Sequence, residues 1–405
     1  MIRLLTIIGA RPQIIKAAAI SRAIRAQFAD RIEEHILHTG QHYDENMSAV
    51  FFDELGIPQP DYNLHVGSAS HGVQTARIIE GVEQALFGTL ANDGKSAATP
   101  LNDGLMYDGV IVYGDTNSTL AAAVAASKIH IPVFHIEAGL RSFNMAMPEE
   151  INRIVCDQLS SILFTPTRTG WQNLAHEGFA VEDAKHNAGS IRRFADGREQ
   201  RVVLSGDVMY DNSLYYSAIA DRQSDIIERL GLSNRNYILA TVHRPANTDN
   251  AANMTAIFSA LADIADNEQT DVVIPLHPRT RKMLPSRLSG DMLRRIETNP
   301  RMRIIEPASF FEIIRLEKNA KVVMTDSGGV QKEAFFYETP CVILRPETEW
   351  VEITEAGAGI LADADYARIM EAYRILANQT VHFPPLFGDG HAGEKILDEI
   401  IRYYQ

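Results

Sequence analysis

The sequence predicts an α/β protein made of two Rossmann-like, doubly wound domains with a cleft between them. Three observations carry that expectation. Short β-branched runs alternate with helix-length segments along all 405 residues, the pattern of βαβ units and parallel sheets. Eleven such runs are many for one parallel sheet, which points to two. Two of the runs are followed at once by carboxylates, at the strand edge where open α/β sheets bind ligands.

In chain order, the first half offers R-L-L-T-I-I-G, E-H-I-L-H-T-G, D-G-V-I-V-Y-G, P-V-F-H-I-E, S-I-L-F-T-P and R-V-V-L-S-G. The second half offers Y-I-L-A-T-V, D-V-V-I-P-L, M-R-I-I-E, K-V-V-M-T-D and C-V-I-L-R. A hinge is placed near residues 206–211, so the expected domains are 1–206 and 207–387. A closing segment, 388–405, carries a helix that crosses back to the first domain. Residues 89–102 are small, polar and rich in turn formers, and read as a flexible surface insertion. Residues 184–200 read as a second polar excursion.

Apolar residues make up 45% of the chain, enough for a core in each half. The net charge of −14 argues against nucleic acid or an anionic membrane as a partner, since both need basic surface. A local basic pocket for a small anion stays open. Cys156 and Cys341 stand in apolar surroundings and read as buried thiols rather than a disulfide or metal pair. No apolar run approaches the roughly 20 residues of a membrane span. The first residues run straight into a short strand without a signal peptide, so cytoplasmic placement is expected. No His-x-x-His, Cys-x-x-Cys or comparable spacing supports a metal. The G-A-R-P-Q-I-I-K segment lacks G-x-G-x-x-G, so no bound NAD and no other cofactor is expected.

The chemistry-bearing residues cluster in one stretch. The run 108–113 leads to Asp115, the run 131–136 leads to Glu137, and Glu149 follows on the next loop, with Arg141 and Arg153 interleaved. Several acids and two arginines around one crevice suit proton transfer on a substrate with an anionic leaving group. The competing reading of Glu149 and Arg153, four apart, is a helix-surface ion pair contributing about 0.3–0.5 kcal/mol. After the first run, Pro12 suits a helix's first turn. Arg11 and Lys16 can then meet a phosphate, or simply lie on a surface loop.

In the second half, T-D-S-G-G-V-Q-K-E (325–333) joins a strand end to a helix start. Free N–H groups and the helix dipole there favour an anion. Gly328 and Gly329 allow close approach, Ser327 adds a hydroxyl, and Glu333 can accept from ribose hydroxyls. The alternative is an ordinary turn with an acid that steadies the helix by about 0.3–1 kcal/mol. T-V-H-R-P-A-N puts His243 and Arg244 at a strand end, and I-P-L-H-P-R-T does the same for His277 and Arg279. Such histidines are as often structural as functional.

Taken together, these pieces resemble the non-hydrolysing UDP-N-acetylglucosamine 2-epimerase family over nearly the whole chain. The resemblance rests on the joint order of G-A-R-P-Q-I-I-K, T-G-Q-H-Y, G-D-T-N-S-T-L-A, H-I-E-A-G-L-R, P-E-E-I-N-R, G-D-V-M-Y-D, H-R-P-A-N-T, P-L-H-P-R-T and T-D-S-G-G-V-Q-K-E-A. It implies a glycosyltransferase-B-like arrangement, a homodimer and a UDP-sugar bound in the cleft. It also implies inversion at C2 by anti elimination of UDP, through a 2-acetamidoglucal, and re-addition. It assigns Asp115, Glu137, Glu149 and His243 to the reacting sugar. Arg11, Lys16, Arg153, Ser327, Gly328 and Glu333 match further active-site and UDP-binding positions.

Two features depart from the commonest bacterial pattern. Glu137 to Glu149 is two residues shorter than in members with S-P-x-P-E-E, and 348–352 reads T-E-W-V-E rather than T-E-R-P-E. Both resemble the branch acting on UDP-2,3-diacetamido-2,3-dideoxyglucuronate, and also some archaeal members that act on UDP-N-acetylglucosamine. The Q-H-x-Q of members regulated by a second substrate molecule is here Gln41-His42-Tyr43-Asp44. Three other readings compete: a glycosyltransferase of the same architecture, a hydrolysing epimerase, and a silent nucleotide-sugar sensor. The clustered acids favour epimerisation over glycosyl transfer and argue against a silent sensor; release of the free sugar stays open.

Overall fold

The computed structural model describes residues 1–41, 52, 56–90, 101, 104–179, 190–195 and 197–405. The chain divides into two compact units, one of Met1–Asn212 with Leu386–Gln405, the other of Ser213–Pro385. His42, Tyr43 and Asp44, and most of the insertion expected at 89–102, lie outside the described residues.

The first unit holds β1 (Ile2–Ile8), β2 (Ile32–His38), β3 (Tyr62–Asn63), β4 (Gly109–Tyr113), β5 (Val133–Ile136), β6 (Ile162–Thr165), β7 (Ser190–Arg193) and β8 (Glu199–Leu204). Their order across the sheet is β3-β2-β1-β4-β5-β6-β8-β7. All neighbours are parallel except β7 and β8, which form an antiparallel pair. Residues 184–189 and 196 of the expected polar excursion lie outside the described residues; within it, Ile191 stands opposite Arg201 and Arg193 opposite Glu199, so Ser190–Arg193 is a charged edge strand rather than an excursion.

The second unit holds β9 (Tyr237–Thr241), β10 (Asp271–Pro275), β11 (Met302–Ile305), β12 (Val322–Thr325), β13 (Cys341–Ile343) and β14 (Gly359–Leu361). Their order is β11-β10-β9-β12-β13-β14, all parallel. Each unit thus contains the doubly wound strand order, with the winding direction reversing between β1 and β4 and between β9 and β12. The α/β class with two Rossmann-like sheets, expected from the sequence, is the fold the chain adopts. Those two reversals are the places where such sheets bind ligands.

Burial explains why the runs were so legible. Every residue of β4, β5 and β12 is buried, as in sheets covered on both faces. The helix Asn117–Lys128 is capped by Thr116, whose side chain accepts from the Thr119 N–H. Ala121, Ala122, Ala123, Ala125 and Ala126 are wholly buried in it. Only small side chains let it pack between the helices His71–Leu86 and Pro148–Leu159. The last helix, Ala392–Tyr403, buries Ile396, Leu397, Ile400 and Ile401, each stabilising by roughly 1.5–3 kcal/mol. It packs against the helix Arg11–Ala23. Asp211 accepts from the N–H groups of Ala392 at 3.1 Å and Gly393 at 2.8 Å, and the Tyr404 hydroxyl donates to the Asp108 carbonyl at 2.6 Å. Cys156 and Cys341 are both buried and free. Among the described residues, no helix is long and apolar enough to cross a membrane.

Candidate active site

At the reversal in the first unit, β1 is followed by the helix Arg11–Ala23, with Arg11 exposed at its start and Lys16 buried one turn on. Tyr113 of β4 pairs with Ile136 of β5, so Gly114, Asp115 and Glu137 leave adjacent strands at the same level. Gly114 has φ +62° and Glu137 has φ +68°. The left-handed region costs a non-glycine residue roughly 1–2 kcal/mol. Lys16 Nζ lies 2.5 Å from Glu137 Oε1. A Cβ on Gly114 would stand 3.1 Å from that amine and 3.3 Å from that carboxylate, so the glycine makes room for the pair.

Asp115 is held by Arg153, whose Nη2 donates to Oδ2 at 2.6 Å. The Arg153 side chain is 9% exposed and that of Asp115 30%. Burial raises the pKa of Asp115; Arg153 and Lys16 lower it, Glu137 raises it, and the net shift is upward. Four charged groups therefore share one small volume in two opposite-sign pairs. A carboxyl biased toward its neutral form beside fixed cations is suited to taking and returning a proton.

Glu150 supports this cluster from behind. It is buried, accepts from the N–H groups of Ser142 at 2.9 Å and Phe143 at 2.8 Å, and receives Arg153 Nη1 at 2.7 Å. Asn152 donates to the Asp115 carbonyl at 2.8 Å. Glu149, one residue earlier in the same helical turn, is solvent-exposed and is not drawn into the ion-paired group. Arg153 is committed to Asp115 and Glu150 instead.

Arg141 does not face the crevice that the sequence reading gave it. Its side chain is 1% exposed and lies 2.7 Å from Asp157 Oδ2 and 2.6 Å from Glu177 Oε1. Two buried or half-buried acids capture it, and a guanidinium so paired is not available to solvent or ligand.

In the second unit, β9 leads to His243 and β12 to Asp326. The buried Asp326 carboxylate gathers the loop, accepting from the N–H groups of His243 at 3.1 Å and Arg244 at 3.0 Å and from Asn247 Nδ2 at 3.1 Å. His243 Nδ1 stands 3.5 Å from it. Burial lowers the pKa of His243, His277 and Arg244 lower it further, and Asp326 opposes them without prevailing. The neutral imidazole is favoured.

Ser327 caps the helix Gly328–Phe336. Gly328 and Gly329 are the first two residues of that helix rather than a preceding turn, so their value lies in the missing Cβ. A Cβ on Gly329 would find only Ser327 Oγ, at 3.9 Å. One on Gly328 would point at Glu349, Arg345 and the Trp350 indole nitrogen at 3.6–3.8 Å. Arg345 and Glu349 form a two-point pair at 2.9 Å, and Lys332 Nζ sits 4.2 Å from the Trp350 ring centre. The helix start and its two glycines make a cradle for an anion; beside it Arg345 is charge-balanced by Glu349 and Lys332 is buried against Trp350. Glu333 is half-buried in the second turn of the same helix. His277 caps the helix Pro278–Arg287 by accepting from the Arg279 N–H, and Arg279 pairs with Asp249 at 2.7 Å on the surface.

The sequence reading overlooked Glu150, Asn152, His135 and Asp157. A signal was present for two of them. Glu150 stands three residues before Arg153, in reach on one helix face. His135 is the one polar residue in the buried strand β5, and a buried imidazole demands partners.

The model for UDP-N-acetylglucosamine 2-epimerase matches residues 25–401. The chain is 42% identical over 402 residues to the UDP-2,3-diacetamido-2,3-dideoxy-D-glucuronate 2-epimerase of Pseudomonas aeruginosa, covering 99% of each chain. It is 42% identical over 401 residues to a UDP-N-acetylglucosamine 2-epimerase homolog of Methanococcus maripaludis, again covering 99% of each. The crystal structure of Methanocaldococcus jannaschii UDP-GlcNAc 2-epimerase in complex with UDP-GlcNAc and UDP superposes with a TM-score of 0.78 at 36% identity, covering 99% of this chain and 100% of that one.

Proposed function

This chain belongs to the UDP-N-acetylglucosamine 2-epimerase family, and we propose that it inverts C2 of a UDP-linked N-acetylated sugar without hydrolysis, with UDP-N-acetylglucosamine as the first substrate to test. The observation that carries the reading is the doubly paired cluster of Lys16–Glu137 and Arg153–Asp115 at the first sheet's reversal.

The C2–H bond of such a sugar has no neighbouring carbonyl and is not acidic. Departure of UDP with the C1–O electron pair makes C1 electron-poor, and the C2 proton then passes to a carboxylate. The product of that half-reaction is a 2-acetamidoglucal with UDP beside it. UDP re-adds to C1 while C2 receives a proton on its other face. Atoms and charge balance without water, metal or redox partner. Two faces of one carbon need proton carriers in two places, which accounts for several acids. In this proposal Asp115, Glu137 and Glu149 carry the proton, and Lys16 and Arg153 keep two of those acids charge-balanced near the departing anion. His243, neutral, serves as a hydrogen-bond partner. UDP rests on Ser327, Gly328 and Gly329 with its ribose toward Glu333. Family resemblance further supports a homodimer working in the cytoplasm; sedimentation tests the former.

The test is incubation with UDP-N-acetylglucosamine in D₂O, followed by proton NMR. Deuterium at C2 with the UDP-sugar intact supports the proposal. Free N-acetylmannosamine plus UDP would instead make the enzyme a hydrolysing one. The likeness to the Pseudomonas protein favours one second reading, the same reaction on UDP-2,3-diacetamido-2,3-dideoxyglucuronate. Unlabelled UDP-N-acetylglucosamine beside a labelled uronate would select it.

A further inference from the structure

Behind the two strand ends lies a chain of buried charge that the proposed reaction leaves without a role. His135 in β5 is fully buried. Its Nε2 is 2.8 Å from the Gly114 carbonyl oxygen, and its Nδ1 is 2.7 Å from Asp157 Oδ1. A carbonyl only accepts, so Nε2 carries a hydrogen. Asp157 Oδ2 already receives Arg141 Nη2 at 2.7 Å and the Gly139 N–H at 3.2 Å, which marks Asp157 as an ionised acceptor. Nδ1 therefore carries a hydrogen too, and the ring is an imidazolium with both N–H groups committed. Arg141 is anchored in turn by Glu177.

The links run to both strand-end turns. Through Nε2 the ring grips Gly114, the residue before Asp115. Through Asp157 it grips Gly139, two residues past Glu137. The Gly114 N–H also donates to the Ile136 carbonyl at 2.9 Å. We propose that His135 is a positioning residue, a buried imidazolium that bolts the Asp115 turn to the Glu137 turn and so sets the geometry and charge of the acid pair. The inference rests on reading Asp115 and Glu137 as the acid–base groups.

The charged surroundings agree. From the helix Pro148–Leu159 the ring faces Asp157 and Cys156, and Arg141 lies beyond Asp157. On the solvent side of Gly114 stand Asp115, Glu137, Lys16 and Arg153. Burial works against the imidazolium, but Cys156 and Asp157 outweigh it and hold its pKa well above the ordinary value. Removing a cation placed behind the Asp115 turn disfavours the ionised form of that carboxyl.

The experiment compares His135→Gln and Asp157→Asn with Asp115→Asn, on whichever UDP-sugar the parent enzyme turns over. Expected for His135→Gln is a kcat lower by about 10²-fold from misplacement of the acids, with UDP affinity by calorimetry unchanged. The acidic limb of its pH–rate profile moves to higher pH by about half a pH unit. A purely structural histidine would lower the active fraction and leave that limb in place. In the parent enzyme, a ¹⁵N spectrum of the imidazoles at pH 8 shows two N–H signals for His135. This reading, with Asp157→Asn, stands even where His135→Gln does not fold. A single N–H signal, or an unmoved limb with near-normal kcat, overturns the proposal. Loss of turnover in Asp115→Asn beside a normal His135→Gln overturns it alone. Near-normal turnover in Asp115→Asn overturns the acid–base reading beneath it as well.

Discussion

In both units the winding reverses between the first and fourth strands of the doubly wound order, yet different chemistry stands at the two reversals. At the first, β1, β4 and β5 release side chains: Lys16, Asp115 and Glu137, joined by Arg153 from the next helix, in short opposite-sign pairs. At the second, β9 and β12 release backbone. Asp326 ties down the loop of His243 and Arg244, and Ser327 opens a helix whose first two residues have no side chain. The contrast follows from what each kind of group can do. Moving a proton needs titratable groups whose neighbours tune them. Holding a phosphate needs fixed dipoles and clearance, which N–H groups and glycines give without any change of charge state. On the proposed reading, chemistry is expected from the first unit and the grip on UDP from the second.

The largest expected effect breaks the chemistry side. Asp115→Asn and Glu137→Gln should each fold and lose at least about 10²-fold in turnover, the usual scale for acid–base groups. Glu149→Gln is expected to do the same, and it is the sharper test because Glu149 stands outside the ion-paired cluster. Near-normal turnover in that variant, measured by the D₂O assay, would reduce Glu149 to a helix-start acid and leave two proton carriers.

A smaller effect is expected from Gly114→Ala. The new Cβ would press on Lys16 Nζ and Glu137 Oε1 from a backbone that disfavours any side chain. Turnover should drop about tenfold, equivalent to about 1.4 kcal/mol in the barrier, with UDP affinity unmoved. Equal loss of UDP binding would show that the first unit shares in holding the nucleotide.

The smallest concerns stability away from both sites. Burial raises the pKa of Asp211 from 3.8 to about 6, against the lowering effect of its two N–H donors. The folded state thus holds the proton more tightly than the unfolded chain. The contribution is full below the unfolded value of 3.8 and is lost as pH rises through about 6. The loss is on the order of 2–3 kcal/mol. Urea unfolding at pH 4 and pH 7 checks this: Asp211→Asn should remove that difference, and an unchanged pH dependence would contradict it.

How much of this was legible beforehand follows from burial. All eleven apolar runs are strands, and those buried at every residue, such as β4, β5 and β12, are almost wholly apolar because both faces are covered. The strands not seen were β3, β7 and β14, which are two, four and three residues long. β7 is charged and β14 begins with a glycine, so neither carries the pattern. At the site, strand ends could be read because the sheet fixes where they point. Spacing puts both Glu149 and Glu150 in reach of Arg153 on a helix, and only the helix's rotation decides which of the two is buried against it. Arg141 was misjudged because its captors, Asp157 and Glu177, lie 16 and 36 residues away and nothing local announces them.

The division between the two units is tested most directly by titrating UDP calorimetrically into Asp115→Asn and Gly328→Val side by side. Asp115→Asn is expected to bind UDP like the parent while failing to turn over the sugar, and Gly328→Val to bind UDP weakly because a side chain enters the cradle. If Gly328→Val binds UDP normally and Asp115→Asn does not, the nucleotide belongs to the first unit and the assignment is reversed.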